Sequence, residues 1–155
     1  MYNSILLSVA LQHWERYSSH ALAAREAAAT LAKSAATPLQ VLSVYEYEQI
    51  PEMRVPHDLA IRHRDDMRQR TDSLMERRMD DFIAPLKAAG IAVKTILRVG
   101  NPREVIVQTA LSVMADVLII GSHSKRGIID VALGGTARHI ISRAPCTVLM
   151  VSPKA

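Results

Sequence analysis

Five short apolar segments, separated by helical patterns, constrain the fold of this chain more than any other feature. The segments span residues 4–10, 39–45, 92–99, 116–121 and 147–152. Near-continuous apolar strands that alternate with helices are typical of a parallel sheet with helices on both faces. Because crossover connections are right-handed, we predict an α/β fold with a doubly wound, open sheet, Rossmann-like in organisation.

The sequence between the strands predicts four helices, at residues 18–36, at 59–89, from Asn101 onward and at 135–143. Ser18 or Ser19 can cap the first helix, and Gly90 ends the second. Asn101 and Pro102 form a typical helix start. The residues expected to face the core are Leu22, Ala29 and Leu31 in the first helix, Leu74, Met75, Met79, Phe82, Ile83 and Leu86 in the second, and Ile106, Ala110 and Val113 in the third.

Length and composition favour one ordinary globular domain over residues 1–155. The chain is 49% hydrophobic and 22% charged, which suffices for a core. No segment approaches the ~20 apolar residues of a membrane span, and the first residues lack the cationic region of a secretory signal. Its single cysteine, Cys146, suits a reducing compartment and is expected to be a small buried residue. We therefore expect a cytoplasmic protein without membrane attachment.

The charge pattern does not favour nucleic-acid binding. The net charge is only +4, and aromatic residues make up 4% of the chain. Much of the basic charge lies at residues 62–81, interleaved with acids. There Arg62 precedes Asp66 and Arg68 precedes Asp72 at i,i+4 spacing, which indicates a solvated helix face.

The segment GSHSKRGIIDVALGGTARH, residues 121–139, is the strongest candidate for a binding site. It leaves the fourth strand at Gly121 and enters a helix near Gly134, where free backbone amides and the helix dipole favour an anion. Arg138 and His139 place positive charge in the first turn of that helix, where cations are disfavoured. Two interpretations remain open: a phosphate held by the amides of residues 134–136 with help from Lys125 or Arg126, or solvated side chains beside a glycine cap.

Residues 117–151, VLIIGSHSKRGIIDVALGGTARHIISRAPCTVLMV, resemble the signature of the universal stress protein family. SILLSVA at residues 4–10, LQVLSVYE at 39–46 and VGNPREVIVQTA at 99–110 extend the resemblance over nearly the whole chain. The resemblance implies a strand order of 3-2-1-4-5 and a regulatory, stress-response role. It also implies that ATP or AMP binds at the carboxyl edge of strands one and four, with Mg²⁺ only if ATP is bound.

The nucleotide-binding branch has the pattern Gly, two residues, Gly, nine residues, Gly, then Ser or Thr. Gly121 and Gly134 match the first and third glycines, whereas Ser124 and Gly135 replace the second glycine and the hydroxyl residue. Ala10 stands where binding members have an aspartate, so the site lacks a carboxylate that contacts the nucleoside. Carried over, the nucleotide-binding residues are Ser8, Ala10, Val44, Gly121, Ser122, His123, Ser124, Lys125, Arg126, Gly134, Gly135 and Thr136.

These departures leave two functions open: a nucleotide-binding regulator, or a ligand-free dimerising adaptor with a vestigial site. A third, enzymatic function is disfavoured. Ser122, His123 and Asp130 lie close in sequence but have no diagnostic spacing. The chain has neither a Walker lysine-serine pair nor a His/Cys metal cluster. Dedicated catalysis is therefore not expected, although slow ATP hydrolysis stays open.

Two further features lie outside the signature. The loop at residues 11–19, longer than the family norm, carries Trp14 and Tyr17; Trp14 could stack on a base, fill an empty pocket or only cover the surface. The family resemblance also implies a homodimer through the last strand, which lacks the charges that Lys94 and Arg98 give to strand three. The residues expected in that interface are Val148, Leu149, Met150 and Val151.

Overall fold

The computed structural model describes residues 2–12, 17–52, 54–122 and 134–154. Along the chain the elements are β1 (Ile5–Ser8), α1 (Ser19–Ala35), β2 (Leu39–Tyr45), α2 (His57–Ala88), β3 (Val93–Val99), α3 (Pro102–Ser112), β4 (Val117–Gly121), α4 (Gly135–Arg143) and β5 (Thr147–Val151). Each element falls where the sequence predicts it. The main differences are that β1 is shorter than residues 4–10 and that α2 begins two residues before Leu59.

The five strands form one parallel sheet in the order β3-β2-β1-β4-β5, which confirms the doubly wound α/β fold. Ser8, the last residue of β1, lies opposite Leu42 of β2 and Ile120 of β4. Because β2 and β4 lie on opposite sides of β1, the strand order reverses between β1 and β4. Ligands of open α/β sheets bind beyond the carboxyl ends of the strands at such a point.

Alternate residues of β1 supply the two layers of the core. Ile5 and Leu7 pack with α1 and α2 on one face, whereas Leu6 packs with α3 and α4 on the other. All three side chains are fully buried. This period of two is the pattern expected of a strand that is covered on both faces.

The buried stripe of α1 differs from the one that the sequence predicts. Leu22 is 39% exposed, and Ala29 and Leu31 are only partly buried. Alanine side chains are small, so a stripe of them allows this helix to lie close to the sheet. The residues that face the core are Ala21, Ala24, Ala28 and Ala32.

Helix α2 has 32 residues, but its buried residues all lie in its second half. Met75, Met79, Phe82, Ile83 and Leu86 are buried as predicted. Leu74 is 36% exposed, contrary to the prediction. In α3, Ile106 and Ala110 are buried and Val113 is half-buried.

The first half of α2 is solvated, as predicted, but its side chains pair differently. Asp66 forms an ion pair with Arg70 at 3.0 Å rather than with Arg62. Arg68 lies over the ring of Tyr47, 5.0 Å from its centroid, instead of pairing with Asp72. In the described parts of the chain, no helix is both long and apolar enough to cross a membrane.

Candidate functional site

A pocket of about 160 Å³ lies at the point where the strand order reverses. Four of the residues that the resemblance assigns to nucleotide binding line it: Ser8, Ala10, Gly121 and Thr136. They come from β1, from the residues after it, from the end of β4 and from the start of α4. The remaining lining residues are Val9, Ser18, His20, Ala21, Ile106, Ile120, Ala137 and Ile140. The pocket thus combines an apolar floor with hydroxyl groups and the beginnings of two helices.

Gly121 lies at the wall of the pocket where the end of β4 meets the first turn of α1. A Cβ atom added at Gly121 would lie 3.0 Å from the backbone oxygen of His20, closer than ordinary packing allows. Glycine at this position therefore lets the first turn of α1 approach the end of β4. His20 itself was not among the predicted site residues. Its place in the first turn of α1, two residues after the Ser18 cap, is the signal that could have identified it.

The start of α4 presents backbone amides beside the pocket. Gly134 is the N-cap and has no side chain to satisfy them. The first helical bond runs from the amide of Arg138 to the carbonyl of Gly134 at 3.0 Å, so the amides of residues 135–137 precede the helical ladder. The first turn contains no acidic residue. This end of α4 has the donors and the dipole that suit an anion.

Arg103, from the first turn of α3, also reaches the start of α4. Its guanidinium lies against Gly135, so close that a Cβ atom added there would overlap it. From the sequence alone, Arg103 is only part of a helix start. The signal was a cation in the first turn of a helix, the same anomaly as at Arg138 and His139.

Other predicted site residues lie away from the pocket or outside the described residues. Val44 is buried in the core layer beneath α3 and α4 and does not line the pocket. The amide of Ser122 donates to the carbonyl of Val151 at 2.8 Å, and its hydroxyl lies 2.5 Å from the hydroxyl of Ser152. Ser122 therefore joins β4 to the end of β5. The predictions for His123, Ser124, Lys125 and Arg126, and for Trp14, fall outside the described residues.

The ends of the loop between β1 and α1 are attached to α2. Arg78 donates from Nη1 to the carbonyls of Leu11 and Gln12, each at 2.5 Å. The hydroxyl of Tyr17 donates to the carbonyl of Arg78 at 3.3 Å. Gln12 also exchanges two hydrogen bonds with the backbone of Glu46. Both flanks of residues 13–16 are therefore fixed beside the carboxyl edge of the sheet.

A second and larger cavity, of about 560 Å³, lies between the segment 47–52 and the solvated half of α2. We call it the α2 groove. Its wall contains Tyr47, whose hydroxyl and that of Tyr45 both donate to Oδ1 of Asp72, at 2.7 and 2.6 Å. Burial raises the pKa of Tyr45, and its hydrogen bond to Asp72 raises it further. These bonds fix the segment after β2 to α2.

The remaining chemically notable groups are a thiol and an apolar strand. Burial raises the pKa of Cys146, which is half-buried and free, so the thiol is less reactive than an exposed one. Among the described residues, no cluster of His, Cys, Asp or Glu could hold a metal ion. At the sheet edge, Leu149 is 40% exposed and Met150 is 37% exposed.

Known proteins resemble this chain in sequence and in fold. Universal stress protein MJ0577 of Methanocaldococcus jannaschii is 33% identical over 79 residues, which are 51% of this chain and 49% of that protein. The solved structure of MJ0577 covers 99% of both chains with a TM-score of 0.68 and 21% identity.

Two further solved structures contain a nucleotide. A universal stress protein in complex with cAMP has a TM-score of 0.55 and 20% identity, covering 98% of this chain and 99% of that one. An Arabidopsis thaliana family member with AMP bound has a TM-score of 0.60 and 18% identity, covering 97% and 93%. At these identities the likeness establishes the fold. The model of the universal stress protein family matches residues 1–152, and the chain therefore belongs to that family.

Proposed function

We propose that this protein is a non-catalytic, cytoplasmic stress-response regulator that binds an adenine nucleotide, ATP or AMP, in the pocket between β1 and β4. The observation that carries the proposal is the convergence of Ser8, Ala10, Gly121 and Thr136 on one cavity at the switch point of the sheet. Solved relatives with bound AMP and cAMP support an adenine nucleotide as the ligand.

The size of the pocket suggests how a nucleotide would be divided between it and α4. A cavity of ~150 Å³ accepts a single benzene-sized ring. The described residues enclose about 160 Å³, enough for a base or a ribose but not for both with phosphates. The phosphates would then lie outside the cavity, on the amides of residues 134–136. If ATP is the ligand, Mg²⁺ would accompany it.

The position of Ser122 supports a binding role rather than a catalytic one. A nucleophilic serine needs a base within hydrogen-bonding reach. The hydroxyl of Ser122 is instead buried and bonded to the hydroxyl of Ser152. Ser122 thus stabilises the pairing of β4 with the end of β5.

A direct test is mass spectrometry of small molecules that co-purify with the protein, followed by calorimetry with ATP and AMP. Gly134→Val is the informative variant. A Cβ atom added at Gly134 meets no atom of the described residues within 4 Å, so the variant should fold as the parent does while its side chain obstructs a phosphate. We expect loss of nucleotide affinity with only a small fall in melting temperature, because valine is a poorer N-cap than glycine. Equal affinity in both proteins would show that the phosphate lies elsewhere.

The second candidate function is a ligand-free dimerising adaptor. The methyl group of Ala10 at the pocket favours it, because alanine offers no hydrogen bond to a nucleoside. An absence of binding at millimolar nucleotide would replace the first function with this one.

Both functions include a homodimer through β5. This strand pairs only with β4 in the described sheet and carries no charge. Val148, Leu149, Met150 and Val151 would form the interface, since pairing with a second copy covers an open apolar edge.

The backbone geometry indicates which proline substitution tests the dimer. The carbonyl of Val151 accepts from Ser122 on β4, so the amides of Leu149 and Val151 face β4 and that of Met150 faces outward. Met150→Pro should leave the sheet paired and convert a dimer to a monomer in light scattering. The control is Leu111→Lys, which changes an apolar side chain that is 65% exposed on α3. Lysine is used there because proline would disrupt the helix. A monomeric parent protein would overturn the interface.

A further inference from the structure

Arg103 occupies the space that a side chain at residue 135 would otherwise take. Its Nη2, Cζ and Nε atoms are the nearest neighbours of a Cβ built on Gly135, the last two at 3.1 and 3.7 Å. The Nη2 end of the guanidinium therefore lies against the first residue of α4. A larger residue at position 135 would displace it, so Gly135 and Arg103 are sterically matched.

Arg103 brings positive charge to the start of α4, whose first turn contains no acidic residue, whereas in the first turn of α3 Glu104 offsets that charge. Arg103 is the second residue of α3, and its guanidinium lies at the first residue of α4. A cation near a helix N-terminus is unfavourable, and at the start of α4 no acidic residue of the first turn compensates for it. In the described parts of the chain Arg70 and Asp66 form an ion pair, and Arg103 takes part in none. An anion bound between the guanidinium and the amides of residues 135–137 would reverse the sign of this interaction.

The adjacent pocket indicates which kind of anion would fit. Thr136 lines the pocket, while Gly135 beside it contacts Arg103. A ligand whose ring fills the cavity would thus bring its phosphate to the guanidinium. Arginine suits a phosphate because its planar fork donates two parallel hydrogen bonds.

We propose that Arg103, packed on Gly135, binds the phosphate of the ligand and makes this site select nucleotides over nucleosides. The inference rests on the proposed nucleotide-binding function and extends it to a residue of α3. In this arrangement the guanidinium supplies the donor that a hydroxyl side chain at position 135 would otherwise provide.

The test compares adenosine, AMP and ATP by calorimetry on the parent protein and on three variants. Arg103→Ala should lower affinity for AMP and ATP by about 10- to 100-fold, as expected for loss of hydrogen bonds to a charged group. Its affinity for adenosine should be unchanged. Arg103→Lys keeps the charge but loses the fork, so its affinity should lie between those of the parent and the alanine variant. Arg143→Ala removes the same charge from the exposed opposite end of α4 and should bind as the parent does.

The possible results distinguish the role of Arg103 from the proposed nucleotide binding. Parent affinity that is equal for adenosine and AMP, or an alanine variant that binds AMP like the parent, would overturn the role of Arg103 and leave nucleotide binding intact. Equal losses for adenosine and AMP would overturn it too, because Arg103 would then only maintain the fold of the site. A parent that binds none of the three ligands would overturn both proposals.

Discussion

The two cavities at this end of the molecule differ in size and in chemistry, and the smaller is the better candidate for function. The α2 groove holds about 560 Å³ and the switch-point pocket about 160 Å³. The wall of the groove is occupied by bonds within the protein: Tyr47 donates to Asp72, and Arg68 lies on the Tyr47 ring. The pocket instead adjoins helix amides that precede their own ladder. Free hydrogen-bond donors, rather than cavity volume, therefore indicate where a ligand would gain the most binding energy.

The two cavities are expected to have different roles, ligand binding for the pocket and stability for the α2 groove, and single substitutions can test this. Changes in the pocket should alter nucleotide affinity, whereas changes in the groove should alter stability alone. Matched substitutions in the two cavities can separate these effects.

The largest expected effect is that of Gly121→Val. The new side chain would collide with the backbone of His20 and fill the pocket, so nucleotide affinity should fall by more than about 100-fold. Ala60→Val enlarges a small residue of the α2 groove in the same manner and should leave affinity unchanged. Calorimetry measures both.

Gly121→Ala is a milder variant that guards against a loss of affinity caused only by unfolding, because it adds one methyl group where valine adds three carbons. Circular dichroism would establish that both variants keep their helices. If a folded Gly121→Ala protein bound nucleotide as tightly as the parent, the pocket would not be the binding site.

Ala10→Asp should have the next largest effect, in the opposite direction. Ala10 is exposed and lines the pocket, so a carboxylate there can stay hydrated without a ligand and accept hydrogen bonds from a ribose. A gain of about 1–3 kcal/mol, or roughly 5- to 150-fold in affinity, is expected for a charged hydrogen bond. Ala60→Asp adds the same charge to the groove. An equal gain in both variants would mean that the carboxylate acts nonspecifically.

The sequence predicts the position of the pocket but not all of the residues that line it, because some of them meet only through packing. Strand periodicity and helix caps are local signals, so the sequence places Gly121 and Thr136 at the carboxyl edge, whereas Ser8 is assigned only through the family resemblance. His20 and Arg103 enter the site through packing between elements that are distant in sequence. The buried stripe of α1 is not predicted from the sequence, because patterns of apolar residues are read mainly from large side chains. Alanine is nevertheless favoured on this face, because it lets the helix lie close to the sheet.

In the α2 groove, Asp72→Ala should lower stability and leave nucleotide affinity unchanged. The substitution deprives the hydroxyls of Tyr45 and Tyr47 of their acceptor, and Tyr45 is only 5% exposed. A buried donor without a partner costs about 1–3 kcal/mol. Urea unfolding measures the loss, and calorimetry on the same sample checks the affinity. A loss of affinity without a loss of stability would assign the groove to ligand binding.

The same tyrosines should make the protein less stable at alkaline pH. Burial and hydrogen bonding to Asp72 raise the pKa of Tyr45, so the folded state holds this proton more tightly than the unfolded chain. Its contribution is complete below pH ~10, the ordinary value for tyrosine, and decreases as the pH rises above it. Tyr45→Phe should therefore flatten the fall of unfolding free energy above that pH. An unchanged alkaline slope in the variant would assign the effect to other groups.

The smallest expected effect is spectroscopic and concerns Trp14, the single tryptophan of the chain. Ala10 and Ser18, on either side of its loop, both line the pocket. Nucleotide binding should therefore change the fluorescence of Trp14, whether the indole stacks on the base or is displaced by it. The α2 groove offers the contrast: Arg64→Ala removes a charge there and should alter neither the fluorescence nor its response to nucleotide. A flat fluorescence titration alongside calorimetric binding would place Trp14 away from the ligand, and the loop would then serve only to cover the surface.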